Sequence, residues 1–396
     1  MIMALLYYSK ITLFFANSSL SSMTDKDQIE QAQNLMRDVI QRVAVGPDRG
    51  RDISREEAQR VMGAVLDGMI DEVQTAVFLI ALRMKRESLD EFRGLFDGLQ
   101  AGTNTMIAPV PELWCLADPF DGYQRHLSMT PFLPALLSAC GLPTIMHGVE
   151  SVGPKHGVTA HKVLKLAGME VSNSQLRAID NLSNVEWAYV DQCDYAPKLA
   201  AMNGLRDRLV KRTAITTLER LLMPIRGSRC THLVLGYVHK AYPEIYATIS
   251  QQAGYNSSLL IKGVEGGLAP ALNKPLRRFF FDTDLPEVID AEKELLDAAE
   301  IFGQTSTAMS ARAEMVNDDK LERNASSLVF RTLEVGLDVL QAKSGSVDLA
   351  RDSLVLATAN VLFAHGRADT LTKAVEKARN CLDNGSAYRH FQALTN

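Results

Sequence analysis

The chain has 396 residues, enough for two hydrophobic cores, one small and one large. Its 46% hydrophobic and 22% charged residues form an ordinary globular balance, and a net charge of -5 excludes a uniformly basic nucleic-acid binder while leaving a local basic stripe open. Five widely spaced cysteines without a C-x-x-C pair tell against a structural zinc site and read as reduced, mostly buried thiols of a cytoplasmic protein.

Met1 to Phe15 is apolar but broken by Lys10, and it lacks the basic start of a signal peptide. It is also too short to span a bilayer, so no membrane partner is expected. Met23 opens the polar run Thr24-Asp25-Lys26-Asp27, which makes residues 1–22 a leader or a mis-assigned start. Residues 23–104 read as an all-helical N-terminal domain. Ile29, Leu35, Met36, Val39, Ile40 and Val43 recur at helical spacing. Ser54 with Glu57, and Ser88 with Glu91, have the spacing of capping boxes. Ala58, Val61, Met62, Val65 and Met69 make one apolar face, and Val73, Ala76, Val77, Ile80, Ala81 and Met84 another. Four short helices fit a packing or dimerisation module.

Beyond the linker at Ala101 to Asn104 the periodicity changes, and residues 105–396 read as a larger α/β domain. Strands are expected at Leu113–Ala117, Thr144–His147, His232–Val238, Ser258–Gly263 and Arg278–Asp282. Helices are expected at Pro131–Cys140, Ala160–Ala167, Glu244–Ala253 and Pro286–Phe302, with two more between Arg351 and Cys381. Asn317–Asn324 reads as a solvated helix start. The alternation predicts a mostly parallel central sheet flanked by helices.

Several segments resemble one family. Ile53 to Ala58 and Asp71 to Arg83 are similar to the helical N-terminal domain of the anthranilate phosphoribosyltransferases and pyrimidine nucleoside phosphorylases. Ala139 to Gly148, Val163 to Gly168, Arg212-Thr213 with Leu222-Met223-Pro224, and Asn360 to Gly385 resemble later segments in the same order. The resemblance spans residues 28–390. It implies transfer of a phosphoribosyl group from phosphoribosyl pyrophosphate to an aromatic amine. It also implies a small phosphorylated ligand, a homodimer through the helical domain and no organic cofactor.

Three departures bear on that chemistry. The family's glycine-rich phosphate loop corresponds to Asp118-Pro119-Phe120-Asp121-Gly122-Tyr123-Gln124-Arg125-His126, where Gly122 alone remains and Pro119 has no N–H. The family's Lys-His-Gly becomes Met146-His147-Gly148, and its following Asn-Arg becomes Val149-Glu150. Lys155-His156-Gly157, nine residues on, either restores a cation or forms an exposed turn. The acidic pair that binds Mg²⁺ in the family becomes Ala269-Pro270, leaving Glu265 as the nearby metal candidate. Arg212 matches the family arginine that holds the acceptor's carboxylate. The donor or phosphate-binding candidates are Gly122, His147, Gly148, Lys155 and His156. His147 and His156 have the chemistry of proton shuttles, and the N–H groups of His161 and Lys162 open a helix that suits an anion.

These readings predict a phosphoribosyltransferase-like glycosyltransferase with a non-classical donor or acceptor. Ordinary anthranilate activity would require three replaced donor elements. The rival is a non-catalytic binder of single-stranded nucleic acid on the same scaffold. It rests on the cationic run Arg206, Arg208, Lys211, Arg212, Arg220, Arg226 and Arg229, and on a resemblance to a divergent branch of the family that binds nucleic acid, carried by Leu127 to Pro131 in place of the glycine loop and by Lys262-Gly263-Val264-Glu265-Gly266 in place of the metal motif. A solvated helix face explains the same cations. There is no Gly-x-Ser-x-Gly, Walker loop or His-Glu-x-x-His.

Overall fold

The computed structural model describes residues 25–395 apart from 47, 173, 284, 291–324 and 344–347. The leader at 1–22 and the helix start at Asn317–Asn324 lie outside the described residues. Four helices come first: α1 (Asp25–Val43), α2 (Arg55–Leu66), α3 (Glu72–Lys85) and α4 (Leu89–Ala101). Both predicted capping boxes form. Ser54 and Ser88 accept the N–H groups of Glu57 and Glu91, whose carboxylates return to the cap N–H groups.

The strands are β1 (Met106–Ile107), β2 (Glu112–Ala117), β3 (Thr144–Gly148), β4 (Trp187–Asp191), β5 (Ile225–Arg226), β6 (Cys230–Tyr237), β7 (Ser257–Lys262), β8 (Arg278–Asp282) and β9 (Leu285–Asp290). β1 and β5 form a small parallel pair. The others form one sheet in the order β4-β3-β2-β6-β7-β8-β9, parallel from β4 to β7 and antiparallel beyond. Helices α5 (Leu133–Ala139), α6 (Ala160–Leu166) and α7 (Gln175–Val185) lie between β2 and β4 in the chain. Tyr242–Ala253 links β6 to β7, and the C-terminal helices Ala325–Leu340, Asp348–Ala364, Leu371–Asp383 and Ser386–Gln392 follow the sheet.

Alternation along each strand divides the core between two faces. Leu113, Cys115 and Ala117 of β2, with Leu233 and Leu235 of β6, join the side that holds the N-terminal helices. Trp114, Leu116 and Val234 join the side covered by the C-terminal helices. The chain runs outward from β2 to β4 and then returns to β6 on the other side of β2. The sheet therefore reverses its direction of growth between β2 and β6, where open α/β sheets take ligands at the carboxyl ends of the strands.

Two strands of the main sheet differ from the sequence reading. β4 was not anticipated. The start of the predicted helix Pro286–Phe302 is instead β9, because its main chain pairs with β8 through Phe279 with Asp290 and Phe280 with Ile289. The rest of that helix lies outside the described residues. The cysteines are all free, but only Cys115 and Cys140 are buried, and Cys193 is exposed.

Candidate functional site

The loop after β2 and the loop after β7 meet over the carboxyl edge of the sheet. Glu265 lies in the second loop with a left-handed backbone, φ 50°. Its carboxylate accepts the consecutive main-chain N–H groups of Gln124 at 3.3 Å and Arg125 at 2.9 Å. His126 Nδ1 lies 3.0 Å away and Lys155 Nζ 3.2 Å away. Burial alone would raise the Glu265 pKa. The His126 hydrogen bond, the Lys155 charge and the Arg125 N–H outweigh it and take the value down to about 2.

Lys155 thus turns inward, and its ammonium also donates to the Gly122 carbonyl at 3.1 Å. Gly122 has φ 75°, and a Cβ there would lie 2.6 Å from the Val158 carbonyl oxygen. Its N–H closes a turn on Pro119. Gly122 therefore shapes the loop by close approach of main chains.

Beneath this loop, Asp118 is buried and accepts hydrogen bonds from the Tyr123 and Thr130 hydroxyls. Burial raises its pKa. Arg220 sits at the point where the sheet reverses. Its Nη2 donates to the carbonyls of Ala117 at 2.9 Å, Gly236 at 3.1 Å and Gly266 at 3.1 Å. A guanidinium therefore fills the end of β2 and β6, where a ligand would otherwise approach these carbonyls.

The remaining predicted residues are arranged differently from their expected roles. Arg212 is bound by the buried Asp121, with Nε and Nη2 at 2.8 and 2.5 Å from Oδ2, so it is not poised to hold an acceptor's carboxylate. His147 is sealed in the core. Its Nδ1 is 2.9 Å from the Tyr195 hydroxyl, and Phe120 packs edge-on against its ring. Burial, then the charge of Arg220, push its pKa down to about 3, which removes it as a proton shuttle near neutrality. Gly148 ends β3 beneath the Tyr189 hydroxyl. His156 stands at the rim, its Nε2 3.5 Å from Asp207 and its Nδ1 3.1 Å from Ser151. The Lys162 N–H is taken by Thr159, the cap of α6, and is not offered to an anion.

A cavity of about 400 Å³ opens beyond the ends of β3 and β4. Glu150, His161, Asp191, Cys193 and Asp194 line it. His161 and Asp191 are buried and joined Nδ1 to Oδ2 at 2.9 Å. Burial would raise the Asp191 pKa, but hydrogen bonds from His161 and the Cys193 N–H bring it below the ordinary value. The other imidazole nitrogen of His161, Nε2, is buried without a hydrogen-bond partner. Burial and the Asp191 charge push the Cys193 thiol up to about 11, so it is a poor nucleophile.

Residues 30–101 match the model of the helical bundle domain of the glycosyl transferase family. The chain is 28% identical over 266 residues to an uncharacterized protein of Aquifex aeolicus, covering 64% of this chain and 80% of that one. It is 24% identical over 335 residues to the anthranilate phosphoribosyltransferase of Erythrobacter litoralis, covering 85% and 93%. The anthranilate phosphoribosyltransferase of Saccharomyces cerevisiae in complex with PRPP and Mg superposes with a TM-score of 0.70 at 14% identity, over 91% of this chain and 97% of that one. The chain is thus similar in sequence to anthranilate phosphoribosyltransferases over most of its length, and it shares their fold.

This chain does not offer Mg²⁺ the donor set that the resemblance implies. Ala269 and Pro270 have no ligating side chains. Both Glu265 carboxylate oxygens already face N–H donors, and Lys155 and His126 would oppose a cation there. Among the described residues no group of three His, Cys, Asp or Glu could hold a metal. Sequence reasoning missed Asp191 as a lining residue of the cavity. The available signal was an acid closing the apolar run Trp187 to Val190, as carboxyl ends of parallel strands carry site residues.

Proposed function

We propose that the chain is a phosphoribosyltransferase-like transferase with a non-classical acceptor, a compact nitrogen compound presenting N–H groups and no carboxylate. The observation that carries this is the cavity at the ends of β3 and β4. Glu150, Asp191 and Asp194 make its lining acidic, and Arg212, the predicted carboxylate holder, is engaged by Asp121. A cavity of about 400 Å³ suits one substituted ring. Asp191 holds the Nδ1 side of His161 and leaves Nε2 as the proton acceptor. In the transfer, an acceptor nitrogen bonds to the anomeric carbon of a pentosyl donor while the bond from that carbon to the leaving oxygen breaks. The leaving group keeps the electron pair, and the proton of the attacking nitrogen passes to His161 Nε2.

Isothermal calorimetry with anthranilate and with ortho-aminobenzamide, its neutral amide, tests the acceptor class. The amide should bind, and His161→Gln should weaken it at least about tenfold, the scale of one lost hydrogen bond to a buried group. Tighter binding of anthranilate than of the amide would sink the reading.

The assembly proposed with it is a homodimer through the helical domain. Val73 and Met84 are 73% and 63% exposed and lie on α3 with the exposed Val77 and the half-buried Ile80, an apolar stripe that the other described residues leave open. Val73→Glu with Met84→Glu should convert the dimer to monomer in equilibrium sedimentation. A wild-type chain that sediments only as monomer would reject it. The cytoplasmic placement rests on the reduced cysteines, and no helix among the described residues is long and apolar enough to cross a membrane.

A further inference from the structure

Four donors from two separate stretches of chain converge on one carboxylate. The N–H groups of Gln124 and Arg125 are consecutive along the main chain, and the His126 ring follows directly. Lys155 closes the far side from a different loop. Successive main-chain N–H groups with a cation beside them form a nest for an oxyanion. The anion in this nest belongs to the chain itself.

Glu265 reaches the nest from a loop that contains Gly263, Gly266 and Gly267, and it is the one of the five residues 263–267 that combines a side chain with a left-handed backbone. That conformation is unfavourable for a residue with a Cβ, and the neighbouring glycines give the loop freedom to leave it. Around the nest, Lys155 and Arg212 are balanced by Glu265 and Asp121, Lys155 Nζ lying 3.9 Å from Asp121 as well. Withdrawal of the Glu265 carboxylate would leave two cations against one anion, with four donors released together. A phosphate-class group brings more charge and more acceptor oxygens than a carboxylate to the same donors.

We propose that Glu265 is a displaceable internal occupant of an oxyanion site formed by the Gln124 and Arg125 N–H groups, His126 and Lys155, and that a phosphate or pyrophosphate group opens the site by replacing it. The site is closed in the ligand-free chain. Binding costs the displacement of a well-held carboxylate, so affinity for a simple anion is low until the 263–267 loop moves. The inference concerns the regulation of the donor side, and it rests on the transferase reading only for what the anion is attached to. Direct anion binding therefore tests it apart from turnover and apart from the acceptor.

The experiment is calorimetric titration of the full chain with inorganic phosphate and with pyrophosphate, without added metal. Wild type, Glu265→Ala and Glu265→Ala with Lys155→Ala are compared, with cooperative thermal unfolding as the check of folding. Glu265→Ala should bind pyrophosphate at least about tenfold more tightly than wild type, and the added Lys155→Ala should reverse most of that gain. Unchanged affinity in folded Glu265→Ala overturns the proposal. So does a gain that survives Lys155→Ala, because the anion would then sit elsewhere. Should Glu265→Ala fail to fold, Glu265→Gln keeps the side chain's shape while removing its charge, and the same two results decide.

Discussion

A His147→Gln variant separates a sealed histidine from one that exchanges protons with solvent. In the folded chain the imidazole is held at about 3 by burial and by the nearby Arg220 charge. An unfolded chain titrates near about 6.5. Above that value both states are neutral, and His147 contributes nothing to the pH dependence of stability. As pH falls below it, the unfolded state takes up a proton that the folded state refuses. Stability is then lost by about 1.4 kcal/mol per pH unit until the folded pKa is reached. From about pH 7.5 to about pH 5 the loss from this one residue is roughly 2 kcal/mol. Glutamine does not titrate and keeps a partner for the Tyr195 hydroxyl. The variant carries a fixed packing cost, but its stability gap to wild type should narrow by about 2 kcal/mol over that interval. Taking the difference cancels the other titrating groups, including the similarly buried His365. Urea unfolding followed by tryptophan fluorescence reads it well, because Trp114 and Trp187 lie in the same sheet as His147. A gap that stays constant within about 0.5 kcal/mol would mean that His147 titrates alike in both states, and the burial argument would fail.

Two further variants probe the packing that holds the site. Arg206→Met removes the partner of Glu219, which is fully buried and ion-paired at 2.5 Å, and should cost about 3–5 kcal/mol in urea unfolding. A loss below about 1 kcal/mol would show that the carboxylate finds water or a proton. In the helical domain, Gly94→Ala would place a Cβ 2.1 Å from the Arg55 carbonyl oxygen, forcing α4 away from α2 at a cost of about 1–3 kcal/mol. Gly63→Ala, on the same helix pair but with nothing within 4 Å, should instead raise the melting temperature, with a gain of about 0.5–1 kcal/mol.

The sequence made the sheet interior legible because hydrophobic runs of strand length repeat between helical stretches. The observed β2, β3, β6, β7 and β8 lie within two residues of their expected ends. The helical domain was legible from local chemistry, since a capping box needs only residues three apart. β9 was not, because Leu285–Asp290 carries apolar residues at a spacing that also suits a helix, and pairing with β8 decides the matter. Glu265 was open to misreading for a related reason. Its partners lie 110 to 141 residues away, so a carboxylate at a strand end looked like a metal ligand when it is the anion in a ring of donors. His147 matched a family motif in spelling, yet its neighbours Phe120 and Tyr195 place it in the core.

The cationic run shows how far charge counted along a chain can depart from charge offered by a surface. Arg206 is spent on Glu219, Arg208 on Glu72 and Arg212 on Asp121, while Arg220 is buried among carbonyls. Lys211, Arg226 and Arg229 are exposed. They do not line one path. Arg229 sits against Pro111 at the amino end of β2, and Arg212, next to Lys211, pairs with Asp121 beyond the carboxyl end. A strand of six residues separates the two ends by about 20 Å. A single-stranded DNA held by this segment would therefore lose at most about three counterions, a slope of roughly -2 in log affinity against log salt. A shift assay across a salt series measures that slope. A value near about -5 would mean that the internal ion pairs open and that these cations act together, and the assignment of Arg208 and Arg212 to internal partners would have to be abandoned.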